Sequence, residues 1–245
     1  MSYPSYKTPP IVEAVIELRF ATTIASRPFA EALRHKLGAA FQEKLEEHEA
    51  IELSAEVGHS SIAAAARREA RAWFIRRHDE QIVVGCSPGV LSVHALAPYG
   101  GWDQTLLPQA RRVVELLTDD ERAHALRAVG VRYVDRIVLP QSDWTLDDYF
   151  PLLPRVPASM PASLAGLRWS VATSKEALSV TLTVASAPPE ENGAAVVIYD
   201  LALLQQLDDP SLSSERWVAA LQEMHVLQRK IFEESITDKT RELFQ

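Results

Sequence analysis

The sequence contains a single cysteine, Cys86, so it cannot form an internal disulfide. A chain of 245 residues can bury a core without such a bridge, and the scarcity of thiols is typical of a reducing compartment. Apolar runs long enough for a membrane span are also missing, and residues 1–10 are polar and proline-rich, without a signal-peptide core. We therefore expect a soluble, cytoplasmic protein with no membrane partner.

Glycine is scarce, with nine in the chain, and none belongs to a phosphate-binding loop or to the Gly-x-Ser-x-Gly turn of serine hydrolases. The seven histidines are scattered, and no His-x-x-x-His or Cys-x-x-Cys spacing indicates a metal site. We expect no cofactor and no metal. Cys86 and His94 lie on neighbouring predicted strands, but a cysteine beside an apolar stretch is more typical of an inert, buried thiol than of a nucleophile.

Basic residues are outnumbered, with 25 Lys and Arg against 33 Asp and Glu and a formal net charge of −8. Proteins bind nucleic acids largely through phosphate contacts from Lys and Arg. Basic pairs occur at Arg67–Arg68, Arg76–Arg77 and Arg111–Arg112, and each is only a pair. The composition therefore disfavours nucleic-acid binding.

What the chain does contain is one order of elements that occurs twice: a strand, an intervening segment, several strands and a long helix. The first strand, Ile11–Phe20, alternates apolar and polar residues, and Ser26 then caps a helix whose apolar positions recur every four residues to about Glu47. Residues 51–66 come next; their pattern is strand-like at first and helix-like in the alanine run 62–66. A hairpin (72–85), a strand (89–96) and a helix (102–117) complete the first pass.

The second pass begins with a strand at Ala128–Leu139. A short helix at Asp143–Phe150 and a proline-rich stretch, Pro151–Pro161, come next. A hairpin (167–185), a strand (194–201), a long helix capped at Ser213–Ser214 and ending near Ser235, and a last short helix capped by Thr237 complete it.

These elements predict an α+β fold, with a mainly antiparallel sheet packed on long helices. The halves are residues 1–122 and 123–245, joined in one globular unit. Their order resembles duplicated saddle folds of the TATA-binding-protein type and helix-grip folds, which form a groove where a ligand or partner binds.

Three strings resemble a bacterial family known only as sporadically distributed and uncharacterised. They are Tyr6–Ala14, Val131–Ile137 and Leu227–Phe244, and together they span nearly the whole chain. The resemblance implies a soluble accessory protein of patchily inherited gene clusters, such as those for defence or specialised metabolism. It supplies no catalytic residue.

The strongest candidate site residues lie on the second opening strand. Alternation places Tyr133 and Asp135 on one side of the sheet and Arg132 and Arg136 on the other. A carboxylate beside a tyrosine can orient a ligand or act as an acid or base. The alternative, which we favour here, is a structural bond to a neighbouring strand, through Arg19 or Glu17.

Two further sets of residues are candidates for binding. Glu13 follows a pair of prolines at the start of the first strand, and we expect it either to act as a cap or to bridge to Arg132 or Arg136 in the other half, in a structural role. Trp144 and Tyr149, with Phe150, flank the proline-rich loop, where a mobile flap or contact surface is expected.

Without a catalytic motif, the leading hypothesis is a non-catalytic binding or adaptor protein that acts through a protein partner or as a homo-oligomer. The alternative is a small-molecule-binding protein or cofactor-free enzyme that uses a cavity between sheet and helices. Nucleic-acid binding ranks third.

Overall fold

The computed structural model describes residues 4, 6–22, 26–58, 61–122, 124–140, 145–152, 166–208, 212 and 215–245, with the backbone alone for 49–58 and 61–70. Nine strands form one antiparallel sheet in the order β2-β3-β4-β5-β1-β6-β9-β8-β7. They are β1 (Ile11–Phe20), β2 (Glu46–Gly58), β3 (Ser61–Arg76), β4 (Ile82–Ser87), β5 (Val90–Leu96), β6 (Leu126–Val138), β7 (Arg168–Lys175), β8 (Leu178–Ala187) and β9 (Val196–Gln206).

The described helices are α1 (Arg27–Leu37), α2 (Leu107–Glu115), α3 (Asp119–Arg122), α4 (Leu146–Tyr149), α5 (Arg216–Ser235) and α6 (Asp238–Glu242). A π-helical turn, Trp102–Leu106, leads directly into α2. The expected mixed α+β fold with an antiparallel sheet is confirmed.

Helices α1, α2 and α5 pack on one face of the sheet. The buried apolar side chains of α1, α2 and α5 belong to one hydrophobic cluster with the alternate strand residues that face them. The register fixes this arrangement, because Ala14 pairs with Tyr133 on the helix side whereas Val15 pairs with Arg132 on the opposite face. We call the two faces of the sheet the inner face, on the helix side, and the outer face.

Helix α1 is shorter than its apolar spacing predicts. Its start is confirmed, because the Ser26 side chain accepts a hydrogen bond from the Phe29 amide. It ends at Leu37 rather than near Glu47, since Gly38 adopts a φ of 83°, which ends the helical backbone. Phe41 then bridges to Arg77, which places the next residues at the edge of the sheet.

The helix-like alanine run at residues 62–66 lies in strand β3, so the helical interpretation is wrong. Its residues pair with β2, for example Ala64 with Ala55. Helix propensity differs by fractions of a kilocalorie per residue, and pairing between two long strands outweighs it. The Ser213–Ser214 cap expected for α5 lies outside the described residues.

The centre of the sheet is the antiparallel pair β1 and β6. Strands β5, β4, β3 and β2 follow outward from β1, and β9, β8 and β7 follow outward from β6. Both halves of the sequence therefore contribute to one continuous sheet and one core.

Candidate functional site

A cavity of about 410 Å³ lies on the inner face, between β6, the π-helical turn, α5 and the N-terminal segment. We define the N-terminal segment as residues 4 and 6–10, and it lies on the helix side of the sheet. Aromatic side chains form much of the wall: Tyr6, Tyr99, Trp102, Tyr133 and Phe232. The volume is within the range of small-molecule sites.

Local structure explains how the cavity side chains are positioned. Gly101, at a φ of 96°, begins the π-helical turn that carries Trp102. On α5, His225, Arg229 and Glu233 follow at intervals of four residues, so they share one stripe of the helix, and all three line the cavity.

Tyr133 is the centre of a hydrogen-bonded group. Its hydroxyl lies 3.2 Å from the hydroxyl of Tyr99 and 3.0 Å from Nδ1 of His225. The imidazole of His225 stacks on Trp102, with ring centroids 4.3 Å apart and planes 3° from parallel. Burial, followed by the charge of Arg229, lowers the pKa of His225 to about 4, so the ring is neutral at neutral pH.

Asp135 is 2% exposed and lines the cavity two residues beyond Tyr133 on the same side of β6. Its Oδ2 atom has no hydrogen-bond partner among the described residues. Burial, followed by the charge of Asp200, raises the pKa of Asp135 to about 8. At neutral pH the carboxyl group is therefore mainly protonated and can donate a hydrogen bond, whereas the ionised group only accepts hydrogen bonds and can act as a base.

The N-terminal segment is held across the cavity by contacts with the C-terminal helices. The Tyr6 hydroxyl donates to Glu233 at 2.7 Å, and Arg241 Nε donates to the other oxygen of that carboxylate at 2.8 Å. The Thr8 amide donates to the Phe244 carbonyl at 3.1 Å. Phe244 is buried, and its ring contacts the ring of Tyr6 edge to face.

The structure brings together Tyr133 and Asp135, as alternation predicts, but their expected partners are wrong. Glu17 and Arg19 lie on the outer face, where they bond to each other at 2.8 Å. The neighbours of Tyr133 are instead Tyr99 and His225, which come from outside the sheet. The structural bond to a neighbouring strand is therefore absent from the described contacts of these two residues.

The other charged candidates lie on the outer face and have partners there. Glu13 accepts from His94 Nδ1 at 2.7 Å, and this bond lowers the pKa of Glu13. The predicted bridge from Glu13 to Arg132 or Arg136 is therefore wrong. Arg132 pairs instead with Asp200 at 2.7 Å, and Arg136 pairs with Glu190 at 2.6 Å. These residues do not reach the cavity.

The exposed surface expected around the proline-rich loop does not include Tyr149 or Phe150. Both are buried, at 1% and 0% exposure. The Tyr149 carbonyl accepts from Thr240 Oγ1 at 2.6 Å, which joins α4 to α6. Trp144 lies outside the described residues.

Two other sequence features also have structural roles. Cys86 is buried on the inner face and burial raises its pKa to about 12, whereas His94 is on the outer face, so the two cannot form a catalytic pair. Three arginines that belong to the Arg–Arg pairs of the sequence form ion pairs with acidic side chains: Arg76 with Glu46, Arg77 with Asp79, and Arg111 with Glu215.

Sequence reasoning missed most of the cavity wall, namely Tyr6, Tyr99, Trp102, Arg229 and Glu233. His225 lies beside the apolar stripe of α5, where its imidazole bonds to Tyr133. The signal in the sequence that could have identified His225, Arg229 and Glu233 is their four-residue spacing on α5, beside its apolar stripe.

A second, larger groove of about 580 Å³ lies on the outer face around Arg132, Asp200 and Thr183. Its charged side chains are satisfied by one another, through the pairs Arg132–Asp200 and Arg19–Glu17. The cavity on the inner face is therefore the stronger ligand site, because it retains a buried polar group with no described partner.

Comparison with known proteins leaves the site to be interpreted from its geometry. No protein-family model matches the chain, and no curated protein is significantly similar to it. In the described part of the chain, no helix is both long and apolar enough to cross a bilayer. The same residues contain no cluster of three or more His, Cys, Asp or Glu side chains able to hold a metal ion.

Proposed function

We propose that this protein binds a small organic molecule in the cavity of the inner face. The observation that carries the proposal is Asp135, a buried carboxyl group that lines the cavity and has one oxygen without a described partner. Buried polar groups in proteins are nearly always hydrogen-bonded, so an unmatched carboxyl oxygen in the wall of a cavity is available to a bound molecule.

The surrounding groups support the same proposal. Tyr99, Tyr133 and His225 offer polar atoms from one side of the cavity, and Trp102 and Phe232 offer apolar surface. A few convergent polar groups in a mainly aromatic wall are typical of small-molecule sites. A neutral carboxyl group near a neutral histidine also gives this site the groups needed for proton transfer, should the bound molecule react.

Filling the cavity tests this function. Ile11 is partly buried and lines the cavity, so Ile11→Trp should occupy part of the space, whereas Val171→Trp adds the same group at a position that is 41% exposed on β7. We expect library compounds that raise the melting temperature of the wild type and of Val171→Trp to have little effect on Ile11→Trp. Saturation at one hundred times the Kd stabilises a protein by about 2.7 kcal/mol.

The proposal is wrong if no compound stabilises the wild type, or if compounds stabilise Ile11→Trp to the same extent. The melting temperature and circular dichroism of the unliganded variants must first match those of the wild type, so that a lost response reports the cavity.

We also propose an adaptor role, in which the outer face binds a protein partner from the same accessory bacterial gene cluster. The supporting observation is that the described helices pack on the inner face, which leaves the charged outer face for another protein. In this proposal the protein acts in the cytoplasm, where Cys86 stays reduced. Co-purification with neighbouring gene products should be lost on Thr183→Arg, and recovery of the wild type alone would contradict it.

We infer, finally, that the sheet is a duplicated saddle of the TATA-binding-protein type. The supporting observation is the strand order, in which β5, β4 and β3 on one side correspond to β9, β8 and β7 on the other. In this scheme β1 and β6 are equivalent strands at the junction of the repeat. Such a likeness concerns architecture and does not by itself assign a function.

A further inference from the structure

The charges around the cavity are unequally matched. Its described lining contains one Arg or Lys residue, Arg229, and three acidic residues, Asp103, Asp135 and Glu233. Arg229 and Asp103 are both close enough to His225 to move its pKa in opposite directions, so they offset each other there. Glu233 already accepts from Tyr6 and Arg241.

Asp135 is the acidic group left without a counter-charge. It is buried, its Oδ2 has no described partner, and the charge that adds to the effect of burial on its pKa is another carboxylate, that of Asp200. An isolated carboxylate in such surroundings is unfavourable, whereas one paired with a hydrogen-bonding cation is stabilised. The cavity therefore lacks one positive, N–H-bearing group.

The aromatic wall complements the same kind of ligand. Trp102, Tyr99 and Phe232 line the same cavity as Asp135, and aromatic faces attract ammonium and amidinium groups while packing against apolar carbon. We propose that the cavity takes a small organic cation, an amine or amidine attached to an aromatic or other apolar group, whose N–H groups donate to the carboxylate of Asp135. This inference rests on the proposed ligand-binding function and names the ligand class.

Matched compounds that differ in charge but little in shape provide the test. Three sets serve as probes: tryptamine, indole-3-acetamide and indole-3-acetate; benzamidine, benzamide and benzoate; phenethylamine, phenylacetamide and phenylacetate. Titration calorimetry at about pH 8, near the pKa of Asp135, should show the cation of at least one set binding about tenfold or more tighter than its neutral and anionic counterparts.

Replacement of the carboxylate gives the matched variant. Asp135→Asn keeps the size of the side chain and removes its ability to ionise, and we expect it to weaken binding of the cation about tenfold or more. Asp119→Asn makes the same change on a side chain that is 99% exposed, and it should bind the cation as the wild type does.

The pH dependence of the wild type tests the inference without any variant. Since ionised Asp135 is the form that receives the cation, the affinity should rise about tenfold per pH unit as the pH approaches 8, with release of a proton on binding. The titratable and charged groups around Asp135 are Tyr133, Tyr199, His225, Arg229, Glu233, Tyr6 and Asp103 on the inner face, and Asp200 on the outer face of the neighbouring strand.

The possible outcomes separate this inference from the function on which it rests. If an amide or carboxylate binds as tightly as its amine, if Asp135→Asn keeps full affinity, or if the wild-type affinity does not change with pH, the ligand class is wrong while the cavity remains a binding site. If no probe of any charge binds and the library screen with Ile11→Trp also fails, both are wrong. If Asp135→Asn does not fold, the wild-type pH profile decides.

Discussion

At the scale of single residues, Asp135 and His225 share the cavity, and burial favours the neutral form of each. The pKa of Asp135 rises from 3.8 to about 8, and that of His225 falls from 6.5 to about 4. Between pH 3.8 and about 8, Asp135 holds a proton in the folded protein that it has released in the unfolded chain. The contribution of Asp135 to stability therefore falls as the pH rises through this range. The unfolded chain instead takes up a proton at His225 below pH 6.5, so the His225 contribution falls as the pH falls.

The two contributions oppose each other from about pH 4 to 6.5, and above pH 6.5 only that of Asp135 changes. We therefore expect Asp135→Asn to gain stability relative to the wild type as the pH rises from about 5 to 8, by at most about 1.4 kcal/mol per pH unit. Urea unfolding across this range, with the free energy of unfolding compared at each pH, measures the difference.

His225→Gln is the matched comparison for this prediction. Relative to the wild type it should gain stability in the other direction, as the pH falls below about 6.5. Carboxylates elsewhere, such as Glu13, are common to all three proteins and cancel in the differences. Parallel curves for the wild type and Asp135→Asn would mean that Asp135 is ionised normally in the folded protein.

At the scale of secondary-structure elements, Thr237 joins α6 to α4. Its side chain accepts from the Thr240 amide at 3.3 Å as the cap of α6, and its hydroxyl donates to the carbonyl of Asp148. Its own amide donates to the Tyr149 carbonyl at 3.2 Å. One hydroxyl group thus satisfies backbone groups of two short helices.

Removal of this hydroxyl should loosen both helices. We expect Thr237→Ala to lower the free energy of unfolding by about 1–2 kcal/mol, because a helix cap and a second hydrogen bond are lost together. Thr237→Ser, which keeps the hydroxyl, should lose much less in the same urea titration. Equal losses in the two variants would assign the effect to packing of the methyl group.

Element prediction from the sequence worked where the local pattern is decisive. The alternation of β1 and β6, the β7–β8 hairpin and the caps of α1 and α6 were all predicted from neighbouring residues. It failed at the end of α1 and in the alanine run of β3. There, a glycine at positive φ and pairing with β2 outweighed residue spacing and propensity.

At the scale of the whole molecule, the continuous sheet predicts that residues 1–122 and 123–245 unfold together. Strands β1 and β6 are paired along nearly their full lengths, and helices from both halves share one core. Separate unfolding of either half would expose this central pairing and the apolar surface beneath it.

A core substitution in one half should therefore destabilise the other. Leu33 on α1 is 2% exposed, and we expect Leu33→Ala to lower the opening free energy of the slowest-exchanging amides of β4 and of β9 alike, by about 2–5 kcal/mol. Native-state hydrogen exchange measures both strands in one experiment. Val226→Ala, at a 58% exposed position, is the control.

A loss confined to β4, with β9 unchanged, would show that the halves unfold independently. Equal changes would show a single cooperative unit without deciding whether it arose by duplication, since both origins give the same continuous sheet.

The α+β class, the antiparallel strands and the shared orientation of Tyr133 and Asp135 follow from local sequence patterns, because alternation along a strand depends only on neighbouring residues. The groups that face these two side chains depend on how distant parts of the chain pack. Tyr99 and His225 come from outside β6, and His225 is 92 positions from Tyr133 along the chain. A cavity is the space left between packed elements, and no local pattern encodes it. The unmatched carboxyl of Asp135 became visible as a candidate site only when those elements were packed around it.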